Sequence, residues 1–284
     1  SFMLSACNFY MPIFEEALDA YGLPLELRYL PIIESALNPS AVSRAGASGL
    51  WQFMIGTGKI YGLESNSLVD ERRDPIKATW AAARYLKEMY DIYGDWNLVI
   101  AAYNCGPGTI NKAIRRANGE TDYWKIYNYL PKETRGYVPA FIAANYVMTY
   151  YCDHNICPME TNIPASTDTV QVNKNLHFEQ IADLCNVPLD QIKSLNPQYK
   201  KQMIPGDSKP YTLRLPIDAI STFIDKQDTI YAHRADELFR NRKTVAVKEI
   251  TPSTRKTTAA VAGKGKLTYY TIKSGDTLST IAGK

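Results

Sequence analysis

A chain of 284 residues exceeds one average domain, and at 45% hydrophobic residues it can bury a core, so two or more compact units are expected. Its 32 basic and 29 acidic residues leave a net charge of only +3, which removes the electrostatic case for a nucleic-acid partner. No uninterrupted apolar run reaches the ~18 residues that a membrane-spanning helix needs. The start also lacks the basic and apolar stretches of a signal peptide, so such a segment is expected to have been removed or left out.

Residues 1–21 are expected to form an amphipathic helix with Phe9, Ile13, Ala17 and Ala20 on one face, ended by Gly22. Leu23-Pro24 starts a second helix, in which Leu27, Leu30 and Ile33 recur at three-residue spacing until Asn38-Pro39 stops it. Glu34 then sits near a helix C-terminus. There the backbone dipole and the apolar Leu30, Ile33 and Leu37 both favour a protonated carboxyl, which suits a general acid. A solvated helical Glu with no role is the plain alternative. Small residues between Ser40 and Ser48 describe a loop or short turn leading into a helix that carries Trp51 and Gln52.

Asp70, Glu71, Arg72, Arg73 and Asp74 read as a solvated ion-pair network bracing the helix that Pro75 opens, over residues 76–93. Its Ala78, Ala81, Ala82 and Ala83 allow close approach of neighbours. Further helices are expected over 97–104, stopped by Gly106-Pro107-Gly108, over 109–116 and over 137–151, giving an essentially all-α domain. The five cysteines Cys7, Cys105, Cys152, Cys157 and Cys185 lack metal-ligand spacing. Cys152 and Cys157 are close enough for a local disulfide or an unbonded thiol pair, and Cys105 has no histidine partner in view that would make it a nucleophile. Twenty tyrosines and four tryptophans offer platforms for sugar rings as well as for packing.

After residue 165 the pattern changes. Thr169–Val172 alternates like a strand, 178–184 and 189–195 read as short helices, and Tyr211–Pro216 closes as a second strand. A helical stretch spans 217–239, a Ser/Thr/Ala/Gly/Lys segment over 253–266 reads as a flexible linker, and Tyr269–Ala282 begins a strand and helix too short to bury a core. Either the natural chain continues there or that end is disordered.

Four motifs stand in order: Glu34-Ser35; Gly49-Leu50-Trp51-Gln52-Phe53-Met54; Ala102-Tyr103-Asn104-Cys105-Gly106; and Glu133-Thr134-Arg135-Gly136-Tyr137. Together they resemble the family 1 lytic transglycosylases, goose-lysozyme-like enzymes that cut bacterial peptidoglycan. Residues 70–75 and the tail look most like the membrane-bound lytic murein transglycosylase D subgroup. The βααβ order with Leu195-Asn196-Pro197 resembles a LysM glycan-binding module, although Lys174-Asn175-Leu176-His177 replaces its usual Gly-Asp-Thr-Leu signature. Residues 269–282 closely resemble the opening of a LysM module.

The resemblance implies a mainly α lysozyme-like catalytic domain over 1–160 and a small α+β LysM-like module over 165–217. A helical extension over 218–250, a linker over 251–267 and an incomplete second LysM module over 268–284 would follow. Glu34 would act alone as acid and then base, closing a 1,6-anhydro ring. Ser43, Gln52 and Tyr103 would hold the substrate's N-acetyl or hydroxyl groups, Asn104 would brace the loop, and Tyr137 would orient Glu34. Trp51 stands where other subgroups carry Met, and would either wall a sugar site or merely pack. Hydrolysis with Asp74 or Glu133 as second carboxylate, or an inactive glycan-binding scaffold, are the competing readings. No cofactor or metal is called for, the partner is the peptidoglycan strand, a monomer is expected, and the place is the bacterial periplasm or envelope. An alkaline activity limb near a pKa of about 6 is expected for such an acid. The module over about 168–217 is expected to pack as a separate unit.

Overall fold

The computed structural model describes residues 2–159, 163–164 and 166–239. The linker and the second LysM opening lie outside them. Helix α1 (Phe2–Ala20) is followed by a 3-10 turn (Leu25–Tyr29), then α2 (Leu30–Ser35) and α3 (Ile55–Ile60). Next come α4 (Pro75–Tyr93), α5 (Trp96–Cys105), α6 (Pro107–Arg116), α7 (Tyr123–Ile126) and α8 (Lys132–Thr149). No helix among the described residues is long and apolar enough to cross a membrane.

Helix starts follow their caps. Asp74 accepts from the Ile76 and Lys77 amides with Pro75 at the first position, and Asp95 accepts from the Leu98 amide. Fully buried Ala78, Ala82 and Ala83 let α4 run close to α1 and α5, and Leu86, Leu98, Phe14 and Leu18 fill the space between. The buried face of α1 is Tyr10, Phe14, Ala17 and Leu18, one position round from the expected stripe, so that Ala20 is exposed and Phe9 and Ile13 only half-buried.

The segment expected as a helix around Trp51 is a turn. Ser48 bridges both Val42 and Phe53, and Gln52 and Gly49 adopt positive φ of 49° and 90°, a backbone that no helix interior accommodates. Gly49 is required there, because a Cβ would lie 1.8 Å from the Arg72 carbonyl oxygen. Gly49→Ala is therefore expected to cost about 2–4 kcal/mol from left-handed strain plus overpacking, read as a lower denaturant midpoint.

The second region has β1 (Thr167–Val172), β2 (Asn175–His177), α9 (Phe178–Cys185), α10 (Leu189–Leu195), β3 (Met203–Pro205) and β4 (Tyr211–Pro216). Strands β1 and β4 pair antiparallel from Thr167↔Pro216 to Val172↔Tyr211, and β2 pairs with β3 from Asn175↔Pro205 to His177↔Met203. Along β4 the residues Tyr211, Leu213 and Leu215 point inward in strict alternation. Helices α11 (Ile217–Asp225) and α12 (Gln227–Ala232) add Phe223 and Ile230 to the same core, and the short α13 (Ala235–Leu238) follows. The extension as far as residue 239 thus completes the βααβ module instead of trailing from it, and residues 240–250 lie outside the described residues. Nor is the module a separate unit, since Leu68 and Val69 of the first region are buried in its core and Val69 bridges Tyr199.

Candidate active site

Glu34 sits one residue before the end of α2, whose last turn is closed by Ala36 and Leu37 in the left-handed region at φ 51° and 59°. The helix ends at Ser35, ahead of the Asn38-Pro39 stop, and it is too short for its dipole to dominate. Burial does dominate: it raises the Glu34 carboxyl to about 7. The hydroxyl of Tyr137, from the second turn of α8, donates to Glu34 Oε1 and opposes that rise, while the exposed Glu133 adds to it by repulsion. The result lies about one unit above the sequence expectation.

Neighbouring hydroxyls register the same carboxylate. Burial and the Glu34 charge hold both Tyr103 and Tyr137 well above the usual phenol range, so both remain protonated donors. Tyr103 donates to the Trp51 carbonyl at 2.7 Å, tying α5 to the turn. One residue past Glu34, the Ser35 hydroxyl donates to the Leu50 carbonyl at 2.9 Å and fastens the same turn to α2. Asn104 Oδ1 accepts from the Thr134 hydroxyl at 2.8 Å, which joins α5 to α8 and suits a bracing part.

Gln52, Tyr103 and Asn104 line one cleft of about 260 Å³ together with Met54, Tyr85 and Cys105. The Gln52 amide nitrogen donates to the Gly49 carbonyl at 2.9 Å, so the side chain also steadies its own turn. Ser43 lies outside that lining; its hydroxyl accepts from the Ala47 amide at 3.0 Å and closes an exposed turn at the edge of the loop. Trp51 is not a sugar-stacking wall. Its side chain is 0% exposed, its indole N–H donates to Thr79 at 2.9 Å, and its ring meets Phe14 edge-on, so only its backbone serves the cleft. Burial raises the Cys105 thiol, away from the thiolate that a nucleophile needs. Cys152 and Cys157 are exposed thiols.

The acidic and basic run at 70–74 is not the solvated network its composition suggests. Arg72 is buried and donates to both oxygens of the buried Asp70 at 2.9 and 2.8 Å, and to the Gly46 and Phe53 carbonyls at 2.9 Å each. Arg73 adds a bond to the Ser48 hydroxyl at 3.0 Å. Arg72, held by Asp70, and Arg73 therefore clamp the turn that presents Gln52, a role invisible in sequence because the groups they meet lie 19 to 26 residues away along the chain. Thr134 was likewise missed, and its place beside Glu133 and Arg135 in the last motif was the available signal. Asp74 is occupied capping α4 and lines a cavity with Thr169, Gln198 and Arg214 of the module, which removes it as a partner for Glu34.

Comparison with known proteins matches residues 11–126 to the Transglycosylase SLT domain, 166–232 to the LysM-like domain of lytic transglycosylase MltD, and 270–284 to the LysM domain. Membrane-bound lytic murein transglycosylase D of Escherichia coli (strain K12) is 32% identical over 267 residues, covering 93% of this chain. The chain spans about half the length of that relative, 54%. The soluble lytic murein transglycosylase of the same strain is 33% identical over 124 residues, 42% of this chain and 19% of its own. Among solved structures, the 70 kDa soluble lytic transglycosylase of Escherichia coli is 29% identical, covering 50% of this chain and 24% of its own, with a TM-score of 0.43.

Proposed function

With residues 11–126 belonging to the transglycosylase SLT family and residues 166–232 to the LysM-like family of lytic transglycosylase MltD, we propose that this chain is a lytic murein transglycosylase. It cleaves the β-1,4 bond between N-acetylmuramic acid and N-acetylglucosamine without water, leaving 1,6-anhydromuramic acid ends in cell-wall remodelling or turnover. The observation that carries this reading is the largely desolvated carboxyl of Glu34, kept in its acid form to about neutral pH while bonded to Tyr137.

The protonated Glu34 gives its proton to the glycosidic oxygen as the bond from muramic C1 breaks. The substrate's own N-acetyl group stabilises the positive charge developing at C1. The resulting carboxylate, steadied by the Tyr137 hydroxyl, then takes the proton of the muramic 6-hydroxyl as O6 closes onto C1. One bond breaks, one forms and the proton returns to Glu34, so neither water nor a second protein carboxylate enters the balance. Gln52 and Tyr103 on the cleft, with Ser43 on the adjoining turn, hold acetamido and hydroxyl groups of the sugars, and Asn104 braces the loop. The chain works as a monomer, without cofactor, on glycan strands in the bacterial envelope.

Hydrolysis is the competing outcome, because the repulsion between Glu133 and Glu34 places a second carboxylate within electrostatic reach. Digesting purified peptidoglycan and weighing the released muropeptides separates the two. Products one water lighter than the hydrolysed species are expected. Water-added products would make the chain a muramidase, and an undigested sacculus would leave only a glycan-binding scaffold.

A further inference from the structure

Residues 66–73 belong to both halves of the described chain. Toward the LysM-like module, the Asp70 amide donates to the Gln198 carbonyl at 2.9 Å and the Lys200 amide donates to the Leu68 carbonyl at 2.8 Å. Lys200 Nζ donates to the Asn66 carbonyl at 2.8 Å, while Lys209 pairs with Glu64 at 2.6 Å and the Tyr211 hydroxyl donates to Glu64 at 3.0 Å. Toward the cleft, the Arg72 guanidinium holds the two carbonyls that bracket the Trp51-Gln52 turn.

The two sides meet at one carboxylate. Asp70, 1% exposed, takes the planar fork of Arg72 on both oxygens and has Lys200 Nζ 3.6 Å from Oδ2. A bidentate pair of this kind fixes the angle of the guanidinium as well as its position, which a lysine or a lone arginine does not do. Taking away the second cation leaves a buried carboxylate with less compensation, and the guanidinium it holds is then less constrained.

We propose that Asp70 and Arg72 are positioning residues for the cleft turn and that the LysM-like module sets them through Lys200, so the module shapes the active site as well as trailing it. The inference rests on the glycan-cleaving reading for what the cleft holds, but not for the coupling itself.

The test uses the full chain with Lys200→Met and Lys200→Arg. Hydrogen exchange is followed at the Ser48, Gly49 and Gln52 amides, which bond to the Phe53, Ala41 and Gly49 carbonyls within the loop. Lys200→Met is expected to speed their exchange on the order of fivefold while amides of α4 and α5 keep theirs, and Lys200→Arg is expected to restore the parent rates. On soluble glycan fragments too short to reach the module, KM should rise by a similar factor with kcat changed less. Unchanged loop exchange overturns the proposal whatever the kinetics, and so does a rise shared equally by α4 and α5, which would mean general loosening. Faster loop exchange with unchanged KM in an active parent overturns the positioning role. A parent that cleaves no fragment sinks the proposed function instead, and the exchange comparison then decides the coupling.

Discussion

Glu34→Gln is expected to lower turnover of peptidoglycan by about 10³-fold or more, the range that a lost general acid commands, with glycan binding retained. The amide keeps the shape and can still accept from Tyr137, but it has no proton to give and cannot take one back. The same substitution should stabilise the fold at alkaline pH. Glu34 titrates at about 7 in the folded chain against an ordinary value of 4.5, so the unfolded chain releases its proton first as pH rises. Stability contributed by the protonated form is present below about 4.5 and is lost progressively until about 7. Above that window the parent carries a desolvated charge that the Gln variant lacks, a difference on the order of 3 kcal/mol. Melting curves of parent and variant should coincide near pH 4 and separate by pH 8, the parent melting lower. Substantial activity in the variant would move the chemistry to another residue, and superimposed melting curves at pH 8 would mean that Glu34 is solvated.

The pairing of Glu34 with Tyr137 was legible because an acid in an apolar helix and a tyrosine about a hundred residues later stand in ordered motifs. The fold was legible where caps and periodicity agree, as at Asp74-Pro75, Asp95-Trp96 and the alternating Tyr211–Pro216 strand. What stayed open or went astray was direction away from these signals. A tryptophan beside a cleft motif carries no mark of which way its ring turns, and Thr79, its partner, is 28 residues away. The helix expected around Trp51 yielded to a turn because Gly49 meets the Arg72 backbone, a contact set by tertiary packing and not by local propensity. Five consecutive charges read as solvated because most are, yet here the bidentate Asp70–Arg72 pair and two carbonyls make burial tolerable. The expected independence of the module failed for the same kind of reason. Leu68 and Val69 lack a periodic context of their own, so nothing nearby announces that they complete a core built 100 residues later.

Activity should fall on the alkaline side through a pKa of about 7, because only the protonated Glu34 can begin the reaction. Tyr137→Phe tests what sets that value. Burial raises the carboxyl, the tyrosine hydroxyl lowers it by stabilising the charged form, and Glu133 raises it again. Removing the hydroxyl leaves the two raising effects unopposed, so the alkaline limb should move upward. A hydrogen bond to a charged group is worth roughly 1.5–3 kcal/mol, which places the shift at about one to two pKa units. Turnover at pH 6 should nonetheless drop by roughly 10- to 100-fold, the same energy now missing where it matters. The second half of the reaction needs a carboxylate aimed at the 6-hydroxyl, and Phe neither orients nor stabilises one. The two readouts move in opposite directions, a wider alkaline range with a slower enzyme, and a loss of folding produces no such pattern. Glu133→Gln supplies the opposite sign, since removing its repulsion should lower the limb while leaving the Tyr137 bond in place. An alkaline limb that stays put in Tyr137→Phe, at parental turnover, would make Tyr137 a packing residue and leave burial alone to hold the acid.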